Sequence, residues 1–421
     1  MTAPLFSMLF LVFLAAMFAL QNWLAFRHIA HIRAHRPAVP AAFSDTISLE
    51  AHQKAADYSI EKTRLGQIES MVDVLFLLVL TLGGGLYFLD ALAGTWLGNG
   101  YGRGLALILA LAILSWLLSL PFDLYRTFRI EARYGFNKMT GKLYLLDVLK
   151  GMVLGALIGI PLLLATFWLM EKMGAYWWFY VWLMWLGFTV LMLALYPNFI
   201  APLFNKFVPL ENEALKSRIE ALLARCGFTS QGLFVMDGSK RSSHGNAYFT
   251  GFGKTKRIVF FDTLIKQLSP SEIEAVLAHE LGHFKRRHIL KMIISRFSIA
   301  LLVLAVMGWV IDKSWFYEGL GFPSVSSMPH LAVALALFFM TLPVFTFWLM
   351  PLGSLLSRKH EFEADAYAAS QTHVGDLVTA LVKLYRDNAA TLTPDPLHSA
   401  VYDSHPPAGI RIAHLQSLSN P

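Results

Sequence analysis

One cysteine, Cys226, is all that the 421 residues contain. No disulfide can form within the chain, and no cluster of thiolates can hold a metal. Charge is scarce too: Asp, Glu, Lys and Arg make up 15% of the residues, against 56% hydrophobic ones. An ordinary soluble domain carries about 25% charged residues, so this composition is that of a membrane protein. Neither a repeat with a period of roughly 20–50 residues nor a low-complexity tract is present, which excludes solenoids and disordered stalks. The net charge of +7 does not mark a nucleic-acid binder. Its Lys and Arg residues fall between the hydrophobic stretches, without basic and aromatic residues interleaved, so nucleic acid is not expected as a partner.

What the chain has in abundance is long apolar runs. A hydrocarbon core of ~30 Å needs about 20 mainly apolar residues to cross it. Seven stretches qualify, at 3–26, 71–97, 104–124, 145–170, 176–203, 289–312 and 329–356. The first is too long for a signal peptide and lacks a small-residue cleavage site after its apolar run, so a retained span is expected. The connection after it carries Arg27, Arg33, Arg36, Lys54, Lys62 and Arg64, and the one after the third span carries Arg126, Arg129, Arg133, Lys138 and Lys142. Alternate connections hold only Arg103, Lys172 and Lys313. Positive charge prefers the cytoplasmic side, which puts the N-terminus outside and the C-terminus inside.

The chain therefore divides into an N-terminal membrane part with five spans (1–204), a cytosolic segment (205–288), spans six and seven (289–356) and a C-terminal cytosolic part (357–421). In "ENEALKSRIEALLARC", Leu215, Ile219, Leu222 and Leu223 recur at helical spacing and predict an amphipathic helix. "NAYFTGFGKTKRIVFFD" pairs two aromatic and β-branched runs around a Gly-Lys-Thr-Lys turn region and predicts a β-hairpin. "LSPSEIEAVLAHELGH" opens with helix-start chemistry: Ser269 as N-cap, Pro270 at the first helical position and Glu272 three residues after the cap. Inside that helix His279 and His283 stand four apart, so both imidazoles leave one face and can reach one metal ion. Glu280, next to His279, is placed to take a proton from an attacking water. Neutral imidazole suits Zn²⁺, and the spacing is that of zinc hydrolases.

Catalytic zinc sites usually have three protein ligands. The best source of the third is "SRKHEFEADAYAAS", where Glu361, Glu363 and Asp365 follow the last span. On a helix Glu361 and Asp365 share a face, whereas Glu363 points about 200° away from Glu361. One of the facing pair can bind metal while the other holds a ligand histidine. His288, five residues past His283, is rotated about 140° off the metal face and reads as an interfacial or solvated side chain. His244 is given no metal role.

"HELGH", "SRKHEFEAD", "SHGNAYFTGFG", "DSHPPAGIR", "EARYGFNKMTG" and "YPNFIAPLFNKFVPL", in their order along the chain, resemble the type I CAAX prenyl proteases, the Ste24-like integral membrane zinc metalloproteases. The resemblance spans nearly the whole chain. It implies an all-α multi-pass fold of seven transmembrane helices around a hollow barrel, with a zincin-like cytosolic metalloprotease domain that contains a small β-sheet. It also implies one Zn²⁺ held by His279, His283 and Glu361, with Glu280 as general base and Asp365 behind a ligand. His405 matches the family histidine thought to stabilise the oxyanion, and Arg411 matches the arginine six residues later. Asn246, Ala247 and Tyr248 match the edge strand that pairs with substrate backbone, as an extended peptide does when it adds to a sheet edge.

The expected function is thus zinc-dependent peptide hydrolysis by an integral membrane endopeptidase. Peptide or protein substrates, among them prenylated CAAX C-termini that lose three residues, and membrane lipid are the expected partners. A quality-control endopeptidase acting on non-prenylated membrane proteins is the alternative within this chemistry. A non-catalytic zinc scaffold or transporter fits less well, because a structural site has no need of Glu280. The absence of an ER-retention signal and a transit peptide favours a bacterial inner membrane over the endoplasmic reticulum, with the active site on the cytoplasmic side.

Overall fold

The computed structural model describes residues 1–250, 255–323 and 331–419. The apolar stretches become helices, four of them more than 24 residues long. Helix α1 spans Ala3–His35, α2 Leu49–Leu80 and α3 Gly85–Leu97. Then α4 (Tyr101–Tyr125) continues through a π turn to Glu131, and α5 runs Gly141–Lys172. After α6 (Trp177–Leu195), a second π turn leads into the short α7 (Ala201–Phe204). Among the described residues six helices are long and apolar enough to cross a membrane. The expected second span instead takes the form of the pair α2 and α3, bent by 56°.

That bend has a local cause in the run Gly83-Gly84-Gly85. Gly84 has φ of 75°, and a Cβ on Gly83 would lie 2.7 Å from the Val79 carbonyl oxygen. Only residues without a side chain fold the chain back this tightly. Close to the break, Asp90 of α3 is buried and is held by Arg103 of α4, so the charge in the apolar layer is paired.

The polar part begins with β1 (Phe207–Pro209), α8 (Glu213–Cys226), β2 (Thr229–Met236), β3 (Ala247–Thr250) and β4 (Thr255–Phe261). As its spacing predicts, α8 buries Leu215, Ile219, Leu222 and Leu223, and Asn212 caps it. The sheet has the order β1-β2-β4-β3: β2 and β4 are parallel, and the other two pairs antiparallel. The predicted hairpin is β3 with β4, in the register Ala247 opposite Phe260 and Tyr248 opposite Val259. Gly253 and Lys254, half of its predicted turn region, lie outside the described residues. With β4 covering one side, β3 is an edge strand.

Next come α9 (Asp262–Gln267), α10 (Pro270–Lys285), α11 (His288–Val310), α12 (Ser314–Gly319), α13 (Leu331–Thr346), α14 (Met350–Gln371), α15 (Val374–Asp387), α16 (Pro396–Tyr402) and α17 (Ala408–Ser419). One helical turn of 3-10 type, Phe347–Leu349, links α13 to α14. The last span thus continues past its apolar stretch as one rod into the polar part. Two cores reflect the two parts. One joins Phe10, Leu107, Phe167, Leu304 and Leu337 of the membrane helices, and the other joins Ile219, Phe260, Ala278, Leu281 and Ala368 beneath the sheet.

The membrane helices leave hollow space between them. A cavity of about 1340 Å³ lies among α4, α5, α6, α11 and α13 and is walled by apolar side chains such as Ile113, Leu163 and Phe339. A second, of about 930 Å³, lies among α1, α2 and α13 and is more polar, with Gln21, Asn22, Glu69 and Asp73 in its wall. Met340 lines both, and His398 and Tyr402 of α16 carry the second towards the C-terminal part.

Candidate metal centre

The site lies where α10 crosses α14. Helix α10 starts as its sequence requires: the Ser269 side chain accepts from the Glu272 backbone N–H, and the Glu272 carboxylate accepts from the Ser269 N–H. This reciprocal cap satisfies two of the otherwise unpaired amides of the first turn. Lys383 of α15 also pairs with Glu272. Further along, the two helices approach closely over small residues. A Cβ on Gly282 would lie 2.9 Å from the Ala364 Cα, so the glycine in H-E-L-G-H sets the helix separation. That role was not read from the sequence, where only the spacing of the histidines was used.

Across this crossing, ligand atoms of His279, His283 and Glu361 all lie within 4.8 Å of one another. The Nε2 atoms of the two histidines are 3.2 Å apart. Glu361 Oε1 is 3.3 Å from His283 Nε2, and Oε2 is 3.5 Å from His279 Nε2. One turn along α14, Asp365 Oδ1 is 2.8 Å from His279 Nδ1. Arg411 of α17 donates to both Asp365 oxygens at 2.7 Å, and its Nη1 lies 3.4 Å from Glu361 Oε2. His279, Glu361, Asp365 and Arg411 are all buried. The helical-face argument thus holds for Glu361 and Asp365: one faces both imidazoles, and the other holds one of them from behind.

The electrostatics favour a cation at this point. Burial works to raise the Glu361 carboxyl, but His279, His283 and His405 outweigh it and hold the group far below the usual carboxylate range. Asp365 is likewise pushed up by burial and pulled down further by His279 and Arg411. Burial and Arg411 press the His279 imidazolium to lose its proton, yet Asp365 and Glu361 prevail and raise its pKa. The buried carboxylates beside the two imidazoles therefore favour positive charge here, which a proton or a metal ion can supply. Glu361 Oε2 is buried and makes no aligned hydrogen bond, although three nitrogens stand within 3.5 Å of it. Two imidazole nitrogens and a carboxylate oxygen are the donor set that suits Zn²⁺, so the residues fit the expected ion.

The other sequence-predicted residues sit on α10, in the turn before α17 and at the start of β3. Glu280 is half-buried on α10 beside His279. His405, in the turn before α17, is 62% exposed, and its Nδ1 reaches within 2.8 Å of Glu361 Oε2. Asn246, Ala247 and Tyr248 lie at the start of the edge strand. Asn246 folds its own Oδ1 onto the Ala247 N–H, and its carbonyl accepts from Phe261. The strand touches α10 through Phe249 and Phe284, rings 5.1 Å apart, one residue beyond His283. His244 takes no part in the cluster; it stacks on Phe136 and bonds to Asn388.

His288 departs from its expected solvated role. It is buried, with Nδ1 3.1 Å from His283 Nδ1 and Nε2 2.9 Å from Glu363 Oε2. The rotation argument failed because the helix does not continue from His283 to His288. It stops at Lys285, Arg287 takes the left-handed conformation with φ of 57°, and a new helix begins. A single residue in that region turns the chain sharply and swings His288 back over His283.

Comparisons with known proteins agree across the chain's length. Residues 28–206 match the family model described as CAAX prenyl protease N-terminal, five membrane helices, and residues 209–419 match peptidase family M48. A CAAX prenyl protease 1 homolog of Oryza sativa is 35% identical over 97% of each chain. CAAX prenyl protease 1 of Saccharomyces cerevisiae is 32% identical, covering 97% of this chain and 94% of its own. The Homo sapiens homolog is 31% identical, with 90% and 89% covered. The crystal structure of S. mikatae Ste24p superposes with a TM-score of 0.91 at 32% identity, over 97% of this chain and 99% of that one. These relatives are eukaryotic and lend no support to the expected bacterial inner membrane. Its apolar helices and polar peptidase part make the protein a multi-pass membrane metallopeptidase, and the chain belongs to the CAAX prenyl protease 1 family of M48 peptidases.

Proposed function

We propose that the protein is a zinc endopeptidase that hydrolyses peptide bonds near the C-terminus of prenylated CAAX substrates. The observation that carries this reading is the convergence of His279, His283 and Glu361 at the crossing of α10 and α14, with the edge strand β3 touching α10 through Phe249 and Phe284. When bound, Zn²⁺ at these residues supplies Lewis acidity that polarises a carbonyl and acidifies water. Glu280 accepts the proton of the attacking water and passes it to the leaving amine, the usual double duty of a general base placed beside such a centre. His405 donates a hydrogen bond to the oxygen that gains charge. Asp365, anchored by Arg411, fixes the His279 ring so that Nε2 faces the metal.

Substrate backbone adds to the Asn246–Tyr248 edge, which leaves the side chains free to be read by the cleft. An isoprenoid needs an apolar surround and is chemically matched to the hollow membrane part. In this reading 205–288 and 357–421 form the peptidase unit, with the spans of 289–356 between them and 1–204 completing the membrane part. The basic connections support a cytoplasmic face for that unit, with membrane lipid bounding the route of a prenylated chain.

The test compares a farnesylated CAAX peptide with its unprenylated counterpart on the purified protein, with and without chelator. Zinc-dependent release of three residues, faster from the farnesylated peptide, is expected. Equal cleavage of both would favour the quality-control alternative. No cleavage of either with zinc bound would overturn the catalytic reading.

A further inference from the structure

The two ligand histidines are held from behind in different ways. His279 Nδ1 meets a carboxylate directly, at Asp365. His283 Nδ1 instead meets His288 Nδ1 at 3.1 Å, and His288 Nε2 meets Glu363 Oε2 at 2.9 Å. Both supports end on α14, the helix that also carries Glu361. The chain of three groups admits one arrangement of protons once His283 turns the Nε2 lone pair towards a metal. His283 Nδ1 then carries the hydrogen and donates to His288 Nδ1. His288 must in turn carry its own hydrogen on Nε2, and that hydrogen goes to the Glu363 carboxylate. Every nitrogen and the carboxylate are then satisfied.

We propose that His288 and Glu363 form a positioning relay that fixes the tautomer and ring orientation of His283 for metal binding. Three further features serve it. Arg287 spends a left-handed backbone conformation, disfavoured for a residue with a side chain, on bringing His288 to His283. His360 stacks on the His288 ring at 4.1 Å and 13°, which limits its rotation about the Cβ bond. Glu363, which its helical position turned away from the metal, is needed where it is because the relay reaches the site from the side of α11.

The inference rests on the reading of His279, His283 and Glu361 as ligands, and its test separates the two. Zinc affinity of the full-length protein in detergent is measured by competition with a chromophoric chelator, with the thermal transition of the metal-free protein recorded alongside. His288→Phe keeps a ring for His360 but loses both nitrogens, and should weaken zinc binding about 10–100-fold, the range seen when such outer partners are removed. His288→Gln, with an acceptor and a donor on one amide, should recover part of that loss. Glu363→Ala should weaken binding less than His288→Phe, and the double variant should be no worse than His288→Phe alone, because Glu363 acts only through His288.

Should His288→Phe fail to fold, Glu363→Ala, whose side chain is partly exposed, carries the test. Zinc affinity unchanged in Glu363→Ala and in any folded His288→Phe overturns the relay, as do additive losses in the double variant. A wild-type protein that binds no zinc overturns the ligand reading instead.

Discussion

The membrane part and the peptidase part treat charge in opposite ways. Among the spans, ionic groups are few, and a buried one such as Asp90 is paired at once with a neighbour such as Arg103. At the crossing of α10 and α14 the chain gathers His279, Glu361, Asp365 and Arg411 in a buried cluster. Burying such groups costs more than their mutual attraction alone returns unless geometry and hydrogen bonds are near ideal. The membrane helices therefore read as structure selected by an apolar solvent. The cluster reads as structure retained for a ligand. Outward side chains of the spans meet only an apolar surround, whereas each member of the cluster has several polar partners.

Arg411→Met should show the largest effect on stability. It leaves Asp365 buried with only His279 to compensate it, and removing one partner of a buried pair typically costs about 3–5 kcal/mol. Thermal unfolding of the purified variant measures this; a transition within a degree of wild type would mean that the cluster is not under electrostatic load. His405→Ala comes next and acts on rate instead. The ring is mostly exposed, so fold and metal content should persist while turnover falls roughly 10²–10³-fold, the effect of one lost oxyanion donor. Metal loss in this variant would instead assign His405 to the support of Glu361. Leu157→Ala marks the other end of the scale. Its side chain is 68% exposed on α5, and the change should leave zinc content and turnover unaltered.

Much of this was legible in the amino-acid sequence. Apolar length marked the spans, because the solvent there imposes composition over a whole helix. The start of α10 was legible because Ser269, Pro270 and Glu272 act through backbone groups two or three residues away. The pairing of Glu361 with Asp365 on one face followed from helical periodicity, which α14 obeys throughout. Features set by long-range contacts stayed hidden. The role of Gly282 depends on Ala364, more than eighty residues away, and no local pattern announces a helix crossing. The break between α2 and α3 turns on three glycines whose conformation a hydropathy count does not register. His288 was misplaced because an unbroken helix was assumed across Arg287, a residue type that gives no warning of a left-handed turn.

In the proposed mechanism α10 carries both metal binding and proton transfer, on adjacent residues with separable tasks. Glu280→Gln tests it most directly, since it keeps size and shape, leaves the three proposed ligands unaltered and removes only the proton acceptor. Zinc content and turnover on one reporter peptide are measured together in the same preparation. Normal zinc with turnover lowered at least about 10²–10⁴-fold is the predicted result, that being the typical contribution of positioned acid–base catalysis. Near-wild-type turnover with zinc bound would contradict the general-base role and the hydrolytic mechanism built upon it.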